Sequence, residues 1–182
     1  FQRHPLACRI SVPDSRASTS KEPDVGDVIV SVADVLAAQA RLRRYLPPTP
    51  FHHAERFGVM LKLENLQRTG SYKVRGALNA LLAARERGDT RPTIAASAGN
   101  HAQGLAWAAY RLGMPAIAVM PNTAPDTKVA GVAHWGAAVR LHGETYDEAK
   151  AFAADLAAQH GYRLLPAFDD PDVIAGQGTA AK

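Results

Sequence analysis

The stretch 61–77, LKLENLQRTGSYKVRGA, constrains the fold of this chain more than any other. An alternating apolar run, Val59, Leu61 and Leu63, breaks into polar residues and a Thr69-Gly70-Ser71 turn. Val74, Ala77, Leu78 and Leu81 then recur at the i, i+3, i+4, i+7 spacing of one buried helical face. The pattern predicts a strand, a turn, and a helix whose first turn holds Lys73. A cation there is disfavoured, because the N-terminal end of a helix carries partial positive charge. With partial burial, that placement favours a neutral, nucleophilic amine. An ordinary surface lysine satisfies the same spacing, and position alone does not separate the two.

Upstream, Ser31 opens a helix with Asp34 in its first turn, an apolar face of Val32, Val35, Leu36 and Ala40, and a stop at Pro47-Pro48. Pro48-Thr49-Pro50 is a stiff connector. Downstream, Gly88 stops the Lys73 helix. Strands are expected at 93–96, 114–120, 137–141 and 162–165, and helices at 102–113, 125–135, 146–159 and 170–180. Strands alternating with helices in this way predict the α/β class, with right-handed crossovers and a parallel sheet carrying helices on both faces.

A second constellation, Ser97-Ala98-Gly99-Asn100-His101, falls at a strand-to-helix turn. The first N–H groups of a helix lack intrahelical partners, so such a turn can hold a carboxylate or a phosphate. Gly99 lets the backbone approach a ligand closely. Plain capping by Ser and Asn explains the same residues, and His101 can be a packing residue.

These two motifs together resemble the threonine (serine) dehydratase branch of the fold-type II pyridoxal phosphate enzymes. The family's lysine segment matches at Lys62, Glu64, Thr69, Gly70, Ser71, Tyr72, Lys73, Arg75, Gly76 and Ala77, and its substrate-carboxylate loop matches at SAGNHAQG, residues 97–104. The resemblance implies a fold like that of the tryptophan synthase β-subunit. It implies pyridoxal 5'-phosphate as cofactor, carried by Lys73 as catalytic residue, with Tyr72 against one ring face and Asn100 on the ring's phenolic oxygen. Ser97, Gly99, Asn100 and His101 would hold the carboxylate of an amino-acid substrate. The implied reaction is β-elimination from threonine or serine, giving 2-oxobutyrate or pyruvate and ammonia. Serine racemases place an acid–base serine where this chain has Ala98, so chemistry from the Lys73 side alone is expected. The resemblance continues through Lys128, Gly131, Phe168-Asp169-Asp170-Pro171 and 174–179, which are given a structural role first.

The resemblance spans about 28–179, whereas family catalytic regions are much longer. Residues 29–182 are therefore expected to be the N-terminal part of such a region: the start of a large domain, a small domain, and the start of the return to the large one. The phosphate-cradling glycine loop and the group near the pyridine nitrogen would lie beyond it. A catalytically silent remnant that binds a partner, and a family member acting on another 3-hydroxy amino acid, are the alternatives. Residues 1–28, with Pro5, Pro13 and Pro23 among Ser and Arg, show no period and are expected to be a disordered leader.

Composition excludes other classes. Of 182 residues 47% are hydrophobic, yet no apolar run approaches the roughly 20 residues that cross a bilayer. The 21 basic residues against 17 acidic ones are dispersed, which argues against a nucleic-acid face. No Gly-x-x-x-x-Gly-Lys-Ser/Thr nucleotide loop occurs. A lone Cys8 excludes an internal disulfide and fits a reducing compartment. A cytoplasmic enzyme without metal, forming a homo-oligomer when full length, is the expectation.

Overall fold

A computed structural model describes residues 30–181; the leader expected at 1–28 lies outside them. The first helix, α1 (Val32–Leu42), begins where Ser31 and Asp34 cap each other's backbone N–H groups in a capping box. Its buried face differs from the expected one: Ala38 and Leu42 are buried and Val35 is half-buried, while Val32, Leu36 and Ala40 face outwards. The cause is that α1 packs along one side only, against α2 (Lys73–Glu86) and α6 (Pro171–Gly178). It also ends at Leu42, short of the prolines.

Strands β1 (Phe51–Ala54) and β2 (Val59–Lys62) pair antiparallel, Phe51 opposite Lys62 and Ala54 opposite Val59. The strand expected before Lys73 is thus real but stands in its own hairpin, outside the parallel sheet. A short turn closed by Gly58, at φ 63°, reverses the chain there, whereas joining a parallel neighbour requires a long crossover. Phe51, Val59, Met60 and Leu61 are exposed on this hairpin.

The remaining elements follow the expected alternation. After α2 come β3 (Thr93–Ala96), α3 (Asn100–Leu112), β4 (Ala116–Met120), α4 (Asp126–Ala133), β5 (Ala138–Leu141), α5 (Tyr146–His160) and β6 (Arg163–Leu164). The four strands form one parallel sheet in the order β5-β4-β3-β6. Side chains alternate across it with the period of a strand. Ile94, Ala96, Ile117 and Val119 meet Ala149, Ala153 and Leu156 of α5 on one face. Ala95, Ala116, Ala118 and Met120 join α2 and α3 in the larger core on the other. Among the described residues, no helix is long and apolar enough to cross a membrane.

Helix α2 is the centre of that larger core, with every residue from Val74 to Ala84 buried. Glycines let its neighbours come close. A Cβ on Gly176 of α6 would lie 2.7 Å from the Arg75 carbonyl oxygen and 2.7 Å from the Gly76 Cα. Gly178 packs against Val35 of α1, and Gly131 of α4 against Gln103. The structural role expected for these glycines is therefore the one they have.

Backbone cannot yield to a new methyl as a flexible side-chain end can. Gly176→Ala is expected to separate α6 from α2 and cost about 2 kcal/mol or more, read as a lowered denaturant midpoint. An unchanged midpoint would show that α6 is not held by this contact.

Candidate active site

The chain runs from β3 to β4 and β5 on one side of the sheet, then returns to place β6 on the other side of β3. Strand order reverses between β3 and β6, and open parallel sheets bind ligands beyond the C-terminal ends of strands at such a point. Both motifs of the sequence arrive there. The turn 97–99 leaves β3, the segment 165–168 leaves β6, and the first turn of α2 brings Lys73 against them.

Local chemistry sets each piece. The Ser71 hydroxyl accepts the Lys73 backbone N–H at 3.1 Å and so starts α2. Gly104 of α3 lets that helix lie on the backbone of the lysine itself: a Cβ there would stand 3.1 Å from the Lys73 carbonyl carbon and oxygen. The Lys73 Nζ donates to the Ala167 carbonyl at 3.1 Å. The Phe168 ring centroid lies 4.5 Å from the same nitrogen, and the Tyr72 centroid 5.5 Å, both within cation–π reach.

In the second motif, the Ser97 hydroxyl accepts the Gly99 N–H at 3.1 Å and shapes the turn, keeping its own proton to donate. Gly99 is the N-cap of α3, without a side-chain cap bond, so the first N–H groups of that helix are left for a ligand. The space a Gly99 Cβ would occupy is open. Asn100 is exposed, and its amide makes no hydrogen bond among the described residues. Tyr72 and Asn100 are exposed, and Lys73, Ser97 and Gly99 are half-buried.

His101 is placed differently. Its imidazole is buried, 3% exposed, and Nε2 stands 3.1 Å from the Leu165 carbonyl oxygen. A carbonyl only accepts, so Nε2 carries the proton. The group His101 can offer to a ligand is its backbone N–H. Burial drives its pKa down from 6.5 to about 4; the Lys73 charge adds to the effect, and the Leu165 hydrogen bond opposes it.

A polar network joins the lysine's helix to the connector and to the loop after β2. Arg75 grips Glu64 with both branches of its guanidinium, at 2.7 and 2.8 Å, and reaches the Thr179 hydroxyl at 3.3 Å. The Thr49 hydroxyl donates to the same Glu64 carboxylate, and Lys62 donates to the Thr49 carbonyl at 3.0 Å. Burial would raise the Glu64 pKa, but Arg75 and Thr49, with the charge of Lys62, hold it below the ordinary carboxylate range. Glu64, Arg75 and Thr49 tie the connector, the loop after β2 and α2 into one unit. Ala167, which no motif included, and Phe168, expected to be structural, also stand at the lysine. Only the neighbouring of β6 and β3 brings them to Lys73, and strand order is not written in the sequence.

The residues present fit pyridoxal phosphate. An amine for the cofactor's aldehyde, aromatic rings flanking it, and open space beside an N–H-lined turn are all at one sheet edge.

Comparison with known proteins agrees. The family profile described as "Pyridoxal-phosphate dependent enzyme" matches residues 42–182. L-threo-3-hydroxyaspartate ammonia-lyase of Pseudomonas sp is 45% identical over 158 residues, 84% of this chain and 50% of that protein. The catabolic L-threonine dehydratase of Escherichia coli (strain K12) is 38% identical over 159 residues, 84% of this chain and 48% of that one. The crystal structure of a pyridoxal 5'-phosphate-dependent aspartate racemase superposes with a TM-score of 0.78 at 38% identity, covering 86% of this chain and 51% of that one. The chain spans about half the length of the curated relatives it matches.

The neutral imidazole has a consequence for stability. Between about pH 4 and 6.5 the unfolded chain protonates this histidine and the folded one does not, so stability is lost as pH falls through that window. The loss attributable to His101 is at most on the order of 3 kcal/mol. Unfolding titrations of the protein and of His101→Gln across this range are expected to converge as the pH falls; parallel curves would place the imidazole in water.

Proposed function

We propose, on the premise that this chain belongs to the pyridoxal-phosphate dependent enzyme family, that it builds the lysine side of a β-elimination site for a 3-hydroxy amino acid, threonine or serine. The products are 2-oxobutyrate or pyruvate, with ammonia. The observation that carries this reading is the Lys73 amine at the switch point of the sheet, 3.1 Å from the Ala167 carbonyl, on a helix whose first turn is held against α3, the helix that begins at the N–H-lined turn 97–99.

Pyridoxal phosphate, when bound, supplies an electron-withdrawing ring that stabilises negative charge at the substrate Cα. The protein's own residues do the rest. Lys73 would hold the cofactor, and its amine would take the proton from Cα. Backbone N–H groups at Asn100 and His101, with the Ser97 hydroxyl and the open space beside Gly99, would hold the substrate carboxylate and thereby orient the Cα–H bond towards that amine. Tyr72 would lie against the cofactor ring, and the Asn100 amide would be available to its oxygen. The hydroxyl at Cβ then departs, and water completes the release of ammonia and the 2-oxo acid.

Ala98 supports elimination over racemisation. Inverting Cα requires a proton donor on the face opposite the lysine, and an alanine methyl supplies none. Threo-3-hydroxyaspartate is the second substrate reading, favoured by the 45% identity to the Pseudomonas ammonia-lyase. Because the chain spans about half of that relative, the activity is proposed for a protein that carries this half within a complete site.

A chimaera in which this chain replaces its matching half of the Pseudomonas enzyme tests the reading. It is expected to release 2-oxo acid from threonine, serine or threo-3-hydroxyaspartate, with Lys73→Ala lowering the rate by at least about 10²–10⁴-fold. A folded chimaera that binds the cofactor and eliminates from none of the three, or one indifferent to Lys73→Ala, would contradict it.

A further inference from the structure

His101 lies in a motif expected to hold a substrate, yet its side chain points into the core. It touches one end of the short segment 165–168 whose other end holds Lys73. The Leu165 N–H donates to the Ile94 carbonyl of β3 at 2.8 Å, and the Leu165 carbonyl accepts from His101 Nε2 at 3.1 Å. Leu165 is thus pinned on both sides of its own Cα, with its side chain 1% exposed. Pro166 follows, with a locked φ and no N–H to form a competing bond. Ala167 comes next, and its carbonyl takes the Lys73 amine at 3.1 Å.

We propose that His101 is a positioning residue for Lys73, acting through this strap. By holding the Leu165 carbonyl, the imidazole sets where the Ala167 carbonyl stands, and that carbonyl fixes the direction of the lysine amine whenever the amine carries no other partner. The loop that would bind a substrate carboxylate and the lysine that would attack are then mechanically joined: His101 is the second residue of α3, and the strap runs from it to the first residue of α2. A histidine suits the task because it reaches across the core and donates one directed bond. Its other ring nitrogen, Nδ1, is buried without a partner, a cost that simple packing would not require of this position.

This inference rests on Lys73 being the reactive lysine, but its test uses no cofactor. The purified chain is labelled with trace acetic anhydride, and the extent at each lysine is read by peptide mass spectrometry, with exposed Lys128 as internal reference. His101→Leu removes the donor and is expected to free the amine, raising Lys73 labelling relative to Lys128 about five-fold, the ratio equivalent to one net hydrogen bond. His101→Gln, whose amide can donate to Leu165, is expected to stay near the parent value. Unchanged labelling in the leucine variant overturns the proposal, and so does an equal rise in both variants, which would indicate packing alone.

Should His101→Leu fail to fold, nuclear magnetic resonance of Lys73→Met takes its place. Loss of the lysine is expected to shift the carbonyl carbons of Ala167 and Leu165 and the Nε2 of His101. A shift confined to Ala167 overturns the proposal. Failure of the cofactor to attach at Lys73 would remove the functional reading while leaving both of these measurements intact.

Discussion

The site depends on one close contact, that of helix α3 upon the first turn of α2. At Gly104 the two backbones approach so nearly that a methyl group would crowd the Lys73 carbonyl. Because α3 starts at the turn 99–101, this contact also sets how far the lysine lies from that turn. The same economy holds on the other side of α2, where Gly76 and Gly176 meet. Lys73 is thus placed by a helix that cannot slide. Its amine inherits that rigidity through a short strap instead of through its own flexible stem.

Electrostatics follow from burial. Arg75 is 7% exposed in the core of this unit, where an unpaired guanidinium would be very costly; the two-pronged grip on Glu64 offsets that cost. The pairing gives little net stability but strong specificity, since Glu64 comes from the loop after the hairpin and Arg75 from the helix. His101 meets the same constraint by another route and stays neutral. A second network, in which Asn79 donates to the Asp172 carbonyl and Arg163 donates to the Ala80 carbonyl, fastens α6 and β6 to α2. The Arg75, Asn79 and Arg163 bonds therefore connect elements distant in sequence, and each of them has one end on the helix that presents the lysine.

Much of this was legible in the chain. Capping residues and glycines mark where helices start and stop, so Ser31, Gly88 and Gly113 lie where local chemistry demands them. The alternation of short apolar runs with helical periods predicts the parallel sheet. Two things were not legible. The face of α1 is decided by which neighbours it finds, and Val32 and Leu36 remain outside because α2 and α6 offer only one side. The pairing of β2 with β1 turns on the short connection through Gly58, which an apolar alternation by itself does not reveal. In the site, the lysine and the turn 97–101 could be found from motif and position. Ala167 and the place of Phe168 beside the lysine could not, because they arise from the order of strands in the sheet; for His101 the sequence left packing and ligand holding open, and burial decides for the side chain.

Lys73 is expected to take the cofactor within this chain alone. The most direct test is to incubate the purified chain with pyridoxal phosphate, reduce with borohydride, and map the modified lysine by mass spectrometry. The cofactor is expected on Lys73 in preference to Lys62, Lys128 and Lys150. Modification spread over the exposed lysines with Lys73 spared would contradict it.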